Sequence, residues 1–410
     1  MKSELNHLMA ERGLEAIVVM ASHDYSAALD YLVGSVHITG GMAWKKRGDE
    51  PILIVGGMEI EEARASGLTC YTYSDFNYYD LFAQNNNDPM KATVALWGVI
   101  LERLAIPSGK IGIYGVGDHH HILALTDLLR EAYPTYQFVG ESGMTIFDQA
   151  ALTKSADELA RIQSVAERTN TVMAMTWDFI SGHQVTGETV MKADSTPLTI
   201  GDIKRFVRRA LLDHNLEDTG MIFAQGRDAG FPHSRGQEDM ALQLGQTIVF
   251  DLFPRELGGG YHHDMTRTWC IGYATPEAQQ LYQQVMTAFD MAIESYGLNK
   301  ATHLMQETVQ DYFENLGHPT LRSNPNTQNG YTHSLGHGMG LNIHERPRIS
   351  HTSKEDVFMV GNVVTNEPGL YYPEKEMGIR VEDSFYVTET GELLSLTSFR
   401  KDLVLPINGK

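Results

Sequence analysis

THSLGHGMGLNIHERP (332–347) is the stretch from which the fold and chemistry of this chain are read. Three imidazoles, His333, His337 and His344, fall close together, and Gly336, Gly338 and Gly340 crowd around the middle one. Glycines in that pattern predict a backbone that must approach a bound group closely. A single histidine here would read as structural. Three of them beside a set of acids point instead to ligand and proton-transfer roles.

The acids lie on either side. QTIVFDLF (246–253) predicts a strand with Asp251 near its end, and DMTRTWCI (264–271) a second strand with Asp264 at its start. Taken alone, the two aspartates would read as solvated surface acids, but adjacent antiparallel strands would bring both to one spot. VVTNEPGLYY (363–372) puts Glu367 at the end of an apolar strand, stopped by Pro368–Gly369. On GIRVEDSFYV (378–387) a period of two places Arg380 and Glu382 on one face, with Ile379 and Val381 on the other. An arginine so placed can orient the neighbouring carboxylate and keep it ionised. Four carboxylates in one pocket would repel by roughly several kcal/mol per pair at low dielectric, so they are tolerable only around cations. Two divalent ions balance them, and His337 fills one more coordination position. This predicts a dinuclear metal site, whose chemistry is hydrolysis.

Bulk properties narrow the partners. At 410 residues the chain exceeds one ordinary core, which predicts two domains. It is 42% hydrophobic and 20% charged, with no apolar run long enough to span a bilayer, so no membrane partner is expected. The net charge of −20 argues against a nucleic-acid partner, which needs a basic surface. The N-terminus, MKSELNHLMAERGLEAIVV, lacks the apolar core of a signal peptide. Cys70 and Cys270 make no disulfide framework, and a reducing, cytoplasmic address follows.

Residues 1–150 predict an α/β layer domain. Helices are expected at 4–12, 58–66, 91–105 and 121–133, and central strands at 16–20, 51–57 and 110–117. No phosphate-binding glycine fingerprint occurs there. The boundary is placed near 150, where Ser155 and Glu158 form a capping box that opens a helix running to about Ser181–Gly182. The polar stretch 182–197 reads as a loop insertion. Further helices are expected at 200–213, 276–296 and 303–316, among strands that include a hairpin turn at VTETGEL (387–393). Residues 151–410 thus predict an α+β domain with antiparallel strands that holds all five ligands. The triplet His119–His121 reads as a polar loop opening a helix, and Cys270 as buried and inert.

Together the segments DMTRT, HGMGL–x–x–HE, NEPGLY and GIRVED resemble the pita-bread metallopeptidases, in the branch of prolidase, aminopeptidase P and creatinase. The resemblance covers essentially the whole chain. It implies a creatinase-like N-terminal domain over 1–150 and a pita-bread catalytic domain over 151–410. It also implies two divalent ions (Mn²⁺, Co²⁺, Zn²⁺ or Fe²⁺, with Mn²⁺ favoured) bridged by a hydroxide, and a homodimer. By motif, Asp251, Asp264 and Glu382 would span both metals, while His337 and Glu367 would each bind one. His233 in GFPHSRG matches the family's substrate-binding histidine. His333 and His344 match the pair that stabilises the tetrahedral intermediate and moves a proton to the departing amine. Arg380 matches the arginine behind the ligands, Tyr371 a tyrosine after the first glutamate, and Glu367 would shuttle the proton of the attacking water. The implied substrate is a peptide with proline in second position, cut as a dipeptide or from a longer chain. Two stretches depart from the family pattern, the polar connection 182–197 and an apparent insertion at 256–260, ELGGG. A creatinase-type C–N hydrolase that works without metal, a binding module that has lost catalysis, and a metal hydrolase of a non-proline substrate are the competing readings. The first two are expected to show ligand loss, and all five ligands stand here.

Overall fold

The computed structural model describes residues 4–34 and 36–407. The backbone forms two compact units, residues 1–150 together with Gly258–Gly260, and residues 151–257 together with 261–410. In the first unit a six-stranded sheet runs in the order Thr69–Thr72, Ile52–Val55, Gly41–Lys46, Leu14–Ala21, Lys110–Gly115, Gln137–Val139. Gly41–Lys46 pairs antiparallel with both of its neighbours, Leu14–Ala21 and Ile52–Val55; the other three pairings are parallel. Ala16, Ile17, Val18 and Val19 are all fully buried, which requires cover on both faces of the sheet. Alternation divides them: Ile17 and Val19 join one apolar cluster, Ala16 and Val18 the other. The expected strands at 16–20, 51–57 and 110–117 are present. Gly41–Lys46 was hidden by its two lysines, one of which, Lys45, is buried and bonded to Asn6 Oδ1 and the Asp49 carbonyl.

The second unit begins with the helix Ala156–Ser181, capped by the reciprocal Ser155–Glu158 box, and continues with Ile200–Asp213, Pro276–Ser295 and His303–Asn315. These helices cover two sheets. One has four strands in the order Ile222–Gln225, Thr247–Leu252, Met265–Ile271, Val404–Leu405. The other has five, in the order Glu345–Ile349, Gly336–Gly338, Val363–Asn366, Asp383–Val387, Leu393–Ser395. The first helix pair packs on one core, where Trp177 meets Trp269 edge-on at 5.5 Å, and the second pair on another. Cys270 lies in that second core, where burial pushes its thiol up to about 12. The hairpin expected around 387–393 joins Asp383–Val387 to Leu393–Ser395.

Three expectations need correction. The segment 182–197 is not a plain loop: Gln184–Thr186 and Thr189–Met191 pair as a hairpin. Val190 is fully buried and its N–H bonds the Leu242 carbonyl, so one apolar side chain fastens the hairpin down. The stretch 378–387 is not one strand. Met377–Arg380 pairs with Gly369–Tyr372, Asp383–Val387 pairs with Val363–Asn366, and Glu382 sits at the junction, bridged to Thr266. His119 belongs to the first turn of the helix His119–Ala132, not to a loop before it. Within 256–260, Gly258, Gly259 and Gly260 take φ of 86°, 112° and 124°, a run of positive values that only glycine adopts without strain.

Candidate metal centre

Strand pairing decides where the acids go. Across the first sheet Asp251 stands opposite Thr266, with Asp264 just ahead of that strand. Across the second, His337 lies on Gly336–Gly338 and Glu367 follows Val363–Asn366. Glu382 links the two sheets through paired main-chain bonds with Thr266, at 3.0 and 3.3 Å. All five, with His233, His333, His344 and Arg380, line one cavity of about 550 Å³. The side-chain ligand atoms of Asp264, His337 and Glu382 fall within 4.8 Å of one another, the reach of a single ion.

The carboxylates are held by a connected set of donors. Arg380 Nη2 donates to Asp251 Oδ2 at 2.6 Å and its Nη1 to Tyr371 Oη at 2.9 Å. Thr266 Oγ1 accepts from Arg380 Nε at 3.2 Å and donates to Glu382 Oε2 at 2.7 Å. The arginine therefore orients Asp251, while Glu382, its expected partner, is oriented by a threonine. Arg267 adds support from behind, donating to the Glu382 carbonyl at 2.7 Å and pairing with buried Asp383 at 2.9 Å. Sequence reasoning passed over Thr266 although the signal was present: DMTRTWCI reads as one strand, and a period of two puts Thr266 on the face of Asp264.

Electrostatics shows that the donors are not enough. Burial raises the Glu382 carboxyl to about 8, with the Asp251 charge adding to the shift. Burial, then the neighbouring carboxylates, also pushes Asp264 and Glu367 well above the usual carboxylate range. Arg380 is shifted well upward because Tyr371, Asp251 and Glu367 outweigh the opposing effect of its burial. Among the described residues no hydrogen-bond partner reaches the buried oxygens Asp251 Oδ1, Asp264 Oδ1 and Glu382 Oε1. Buried polar atoms without partners are rare and costly.

The histidines complete the test for a cation. Burial lowers His337 to about 3, so its imidazole is neutral. Its Nδ1 faces the Gly338 carbonyl at 3.1 Å, and a carbonyl only accepts, so Nδ1 carries the proton. Nε2 then points a bare lone pair toward Asp264 Oδ2 at 3.7 Å and Glu367 Oε1 at 3.5 Å. Lone pairs facing carboxylate oxygens, with three further oxygens unbonded, suit divalent cations and fit little else. His333 is likewise neutral, lowered to about 3 by burial and then by Arg380. Its Nδ1 donates to the Ser334 carbonyl at 2.7 Å, and its Nε2 accepts from Tyr371 Oη at 2.9 Å. Both of its nitrogens are thus engaged. His344 and His233 differ: both are exposed at the cavity, with no ring-nitrogen hydrogen bond among the described residues.

Comparison with known proteins places this geometry in context. Metallopeptidase family M24 matches residues 160–389. The uncharacterized peptidase SERP1271 of Staphylococcus epidermidis is 30% identical over 356 residues, 86% of this chain and 86% of that protein. The Xaa-Pro dipeptidase of Pyrococcus furiosus is 33% identical over 170 residues, 42% of this chain and 45% of that protein. The solved structure of an Xaa-Pro dipeptidase from Bacillus anthracis superposes at a TM-score of 0.75 with 20% identity, over 98% of both chains.

Proposed function

Because the chain belongs to metallopeptidase family M24 and has the pita-bread fold, we propose that it is an Xaa-Pro dipeptidase, hydrolysing the bond between an N-terminal residue and proline. One observation carries this most: five potential ligands from separate segments meet in one cavity, where three carboxylate oxygens are buried without partners among the described residues. Asp251, Asp264 and Glu382 would hold two divalent ions jointly, with His337 and Glu367 on one each. Bound there, the ions supply a Lewis acid for the scissile carbonyl and a water acidic enough to attack at neutral pH. An oxygen-rich site with one imidazole favours Mn²⁺.

The protein's own groups do the rest. Glu367, which burial and the neighbouring carboxylates hold above the usual carboxylate range, takes the proton of the attacking water and passes it to the departing proline nitrogen. His344, whose ring nitrogens make no hydrogen bond among the described residues, donates to the oxygen that becomes negative. His333 orients instead of donating, because Ser334 and Tyr371 occupy both its nitrogens. Arg380 and Tyr371 fix Asp251 and His333 relative to each other, and His233 meets the substrate at the rim. A proline peptide offers no N–H at the scissile bond, so polarisation of the carbonyl is the only handle.

A dipeptide is favoured over a longer peptide by charge. Arg235 and Arg348 also line the cavity, with exposed side chains that have no ion-pair partner among the described residues. A guanidinium binds a carboxylate bidentately, which suits a substrate that ends at its second residue. The 33% identity to the Pyrococcus enzyme supports the same substrate. A homodimer in the cytoplasm, with residues 1–150 as a creatinase-like domain, completes the proposal. The test is hydrolysis of an Xaa-Pro dipeptide beside an Xaa-Pro-Xaa tripeptide by chelated protein reloaded with Mn²⁺, Co²⁺ or Zn²⁺. Cleavage of the dipeptide alone is expected. Cleavage of the tripeptide would make it an aminopeptidase, and silence on both with metal bound would remove proline peptides altogether.

A further inference from the structure

We infer that the buried ion pair Lys154–Glu345 is a positioning device for His344. The inference rests on His344 acting on the substrate, as proposed above. Lys154 Nζ lies 2.6 Å from Glu345 Oε2, and the two side chains are only 3% and 5% exposed. Neither residue lines the cavity. What they touch is the turn Met339–His344, which joins the strand of His337 to Glu345–Ile349.

His344 makes no ring-nitrogen hydrogen bond among the described residues, so its direction is set by the backbone that carries it. Its ring stands edge-on to His337 at 4.4 Å. The turn is pinned by Met339 N–H to the Val363 carbonyl at 3.0 Å and by His262 N–H to the Gly340 carbonyl at 2.9 Å. A further pin comes from a side chain: Asn342 N–H donates to Glu345 Oε1 at 3.0 Å. Glu345 can hold that geometry because its other oxygen is fixed by Lys154. The lysine is itself anchored through Nζ to the Ala151 carbonyl and through N–H to the Gly361 carbonyl. The fit is close. A Cβ at Gly340 would lie 2.6 and 2.8 Å from the Glu345 oxygens and 2.8 Å from Lys154 Cε.

Stability alone does not account for such a pair. Removing two ions from water costs about as much as their attraction returns, and an apolar pair of similar volume serves as well or better. What an apolar pair lacks is an oxygen aimed at Asn342 N–H. A displacement of about 1 Å at a catalytic group costs on the order of 100-fold in rate.

The test is the double variant Lys154→Met/Glu345→Met, which strands neither charge. It should melt close to the parent, bind Mn²⁺ in calorimetry with unchanged stoichiometry, and keep KM within about threefold, while kcat falls ~10- to 100-fold. Added to His344→Ala, the same pair of substitutions should change kcat less than about twofold, since positioning acts only through the residue positioned. With labelled histidine, the His344 ring signals should shift or broaden in the double variant while those of His233 stay put. An equal loss of kcat in both backgrounds, unchanged kcat in the parent background, or an unmoved His344 signal would each overturn the inference. The ring signals decide this even if no proline peptide is cleaved, which separates it from the substrate proposal. If the double variant does not fold, Lys154→Arg keeps the charge on a longer stem and carries the same comparison.

Discussion

The floor and the rim of the cavity are built on opposite terms. On the floor, Asp251, Asp264, Glu382 and His337 are buried, stand on or beside paired strands, and are gripped by Arg380, Thr266 and the Gly338 carbonyl. At the rim, His233, His344, Arg235 and Arg348 are exposed and borne by turns or a strand end. The floor concentrates negative charge beyond what its donors can satisfy, and the rim is positive with donors to spare. On the proposed function, a metal would complete the first and a substrate the second. Preorganisation is therefore strongest where the metal-free protein is least comfortable.

The sharpest way to break the floor is Asp264→Asn. Activity should fall at least ~1000-fold and Mn²⁺ binding in calorimetry should be lost, because a ligand and its charge are gone. The metal-free variant should nevertheless melt higher than the parent, since the repulsion that raises three carboxyls is relieved. A lower melting temperature would mean the acids are not in conflict.

At the rim, His344→Ala should cost ~100- to 10,000-fold in kcat with little change in melting temperature or metal content. A loss that appears in metal content instead would move His344 to the floor. Arg380→Met should destabilise the metal-free fold by about 3–5 kcal/mol in urea titration, because it leaves Asp251 buried and unpaired. A loss under about 1 kcal/mol would show that the arginine serves only geometry.

The mildest test is pH. Glu382 titrates near 8 in the fold against 4.5 for its ordinary value, so between these limits the folded state holds more protons than the unfolded one. Its contribution to the stability of the metal-free protein is then fully present below about 4.5 and is lost as pH rises toward 8, by on the order of a few kcal/mol. Bound metal should flatten this slope, and its affinity should rise over the same window as protons are displaced. Melting curves with and without Mn²⁺ that stay parallel from pH 5 to 8 would contradict the assignment.

Much of this was legible in the chain because its signals are local. Caps at Ser155, Thr199 and Thr275 start helices within a residue or two of where the pattern puts them. Alternation placed Arg380 and Glu382 together, and each acid sits in a short motif that says strand end or turn. Less local features were missed. Val190 turns a polar stretch into a hairpin because it finds a pocket beside Leu242, and nothing nearby in sequence announces that pocket. The break at Val381–Glu382 depends on two separate partner strands competing for one run of residues.

The sequence by itself determined the candidate ligands, their order, the helices and the excess of acid over base, because residue type, short motifs and short-range periodicity encode all of these. Only the tertiary structure decided who holds whom. Arg380 serves Asp251, Thr266 serves Glu382, His333 is spent on Ser334 and Tyr371, and His344 is left free above a clamp made by Lys154 and Glu345. Hydrogen bonds between residues a hundred or more positions apart follow from strand pairing and burial, and a linear pattern carries no record of either.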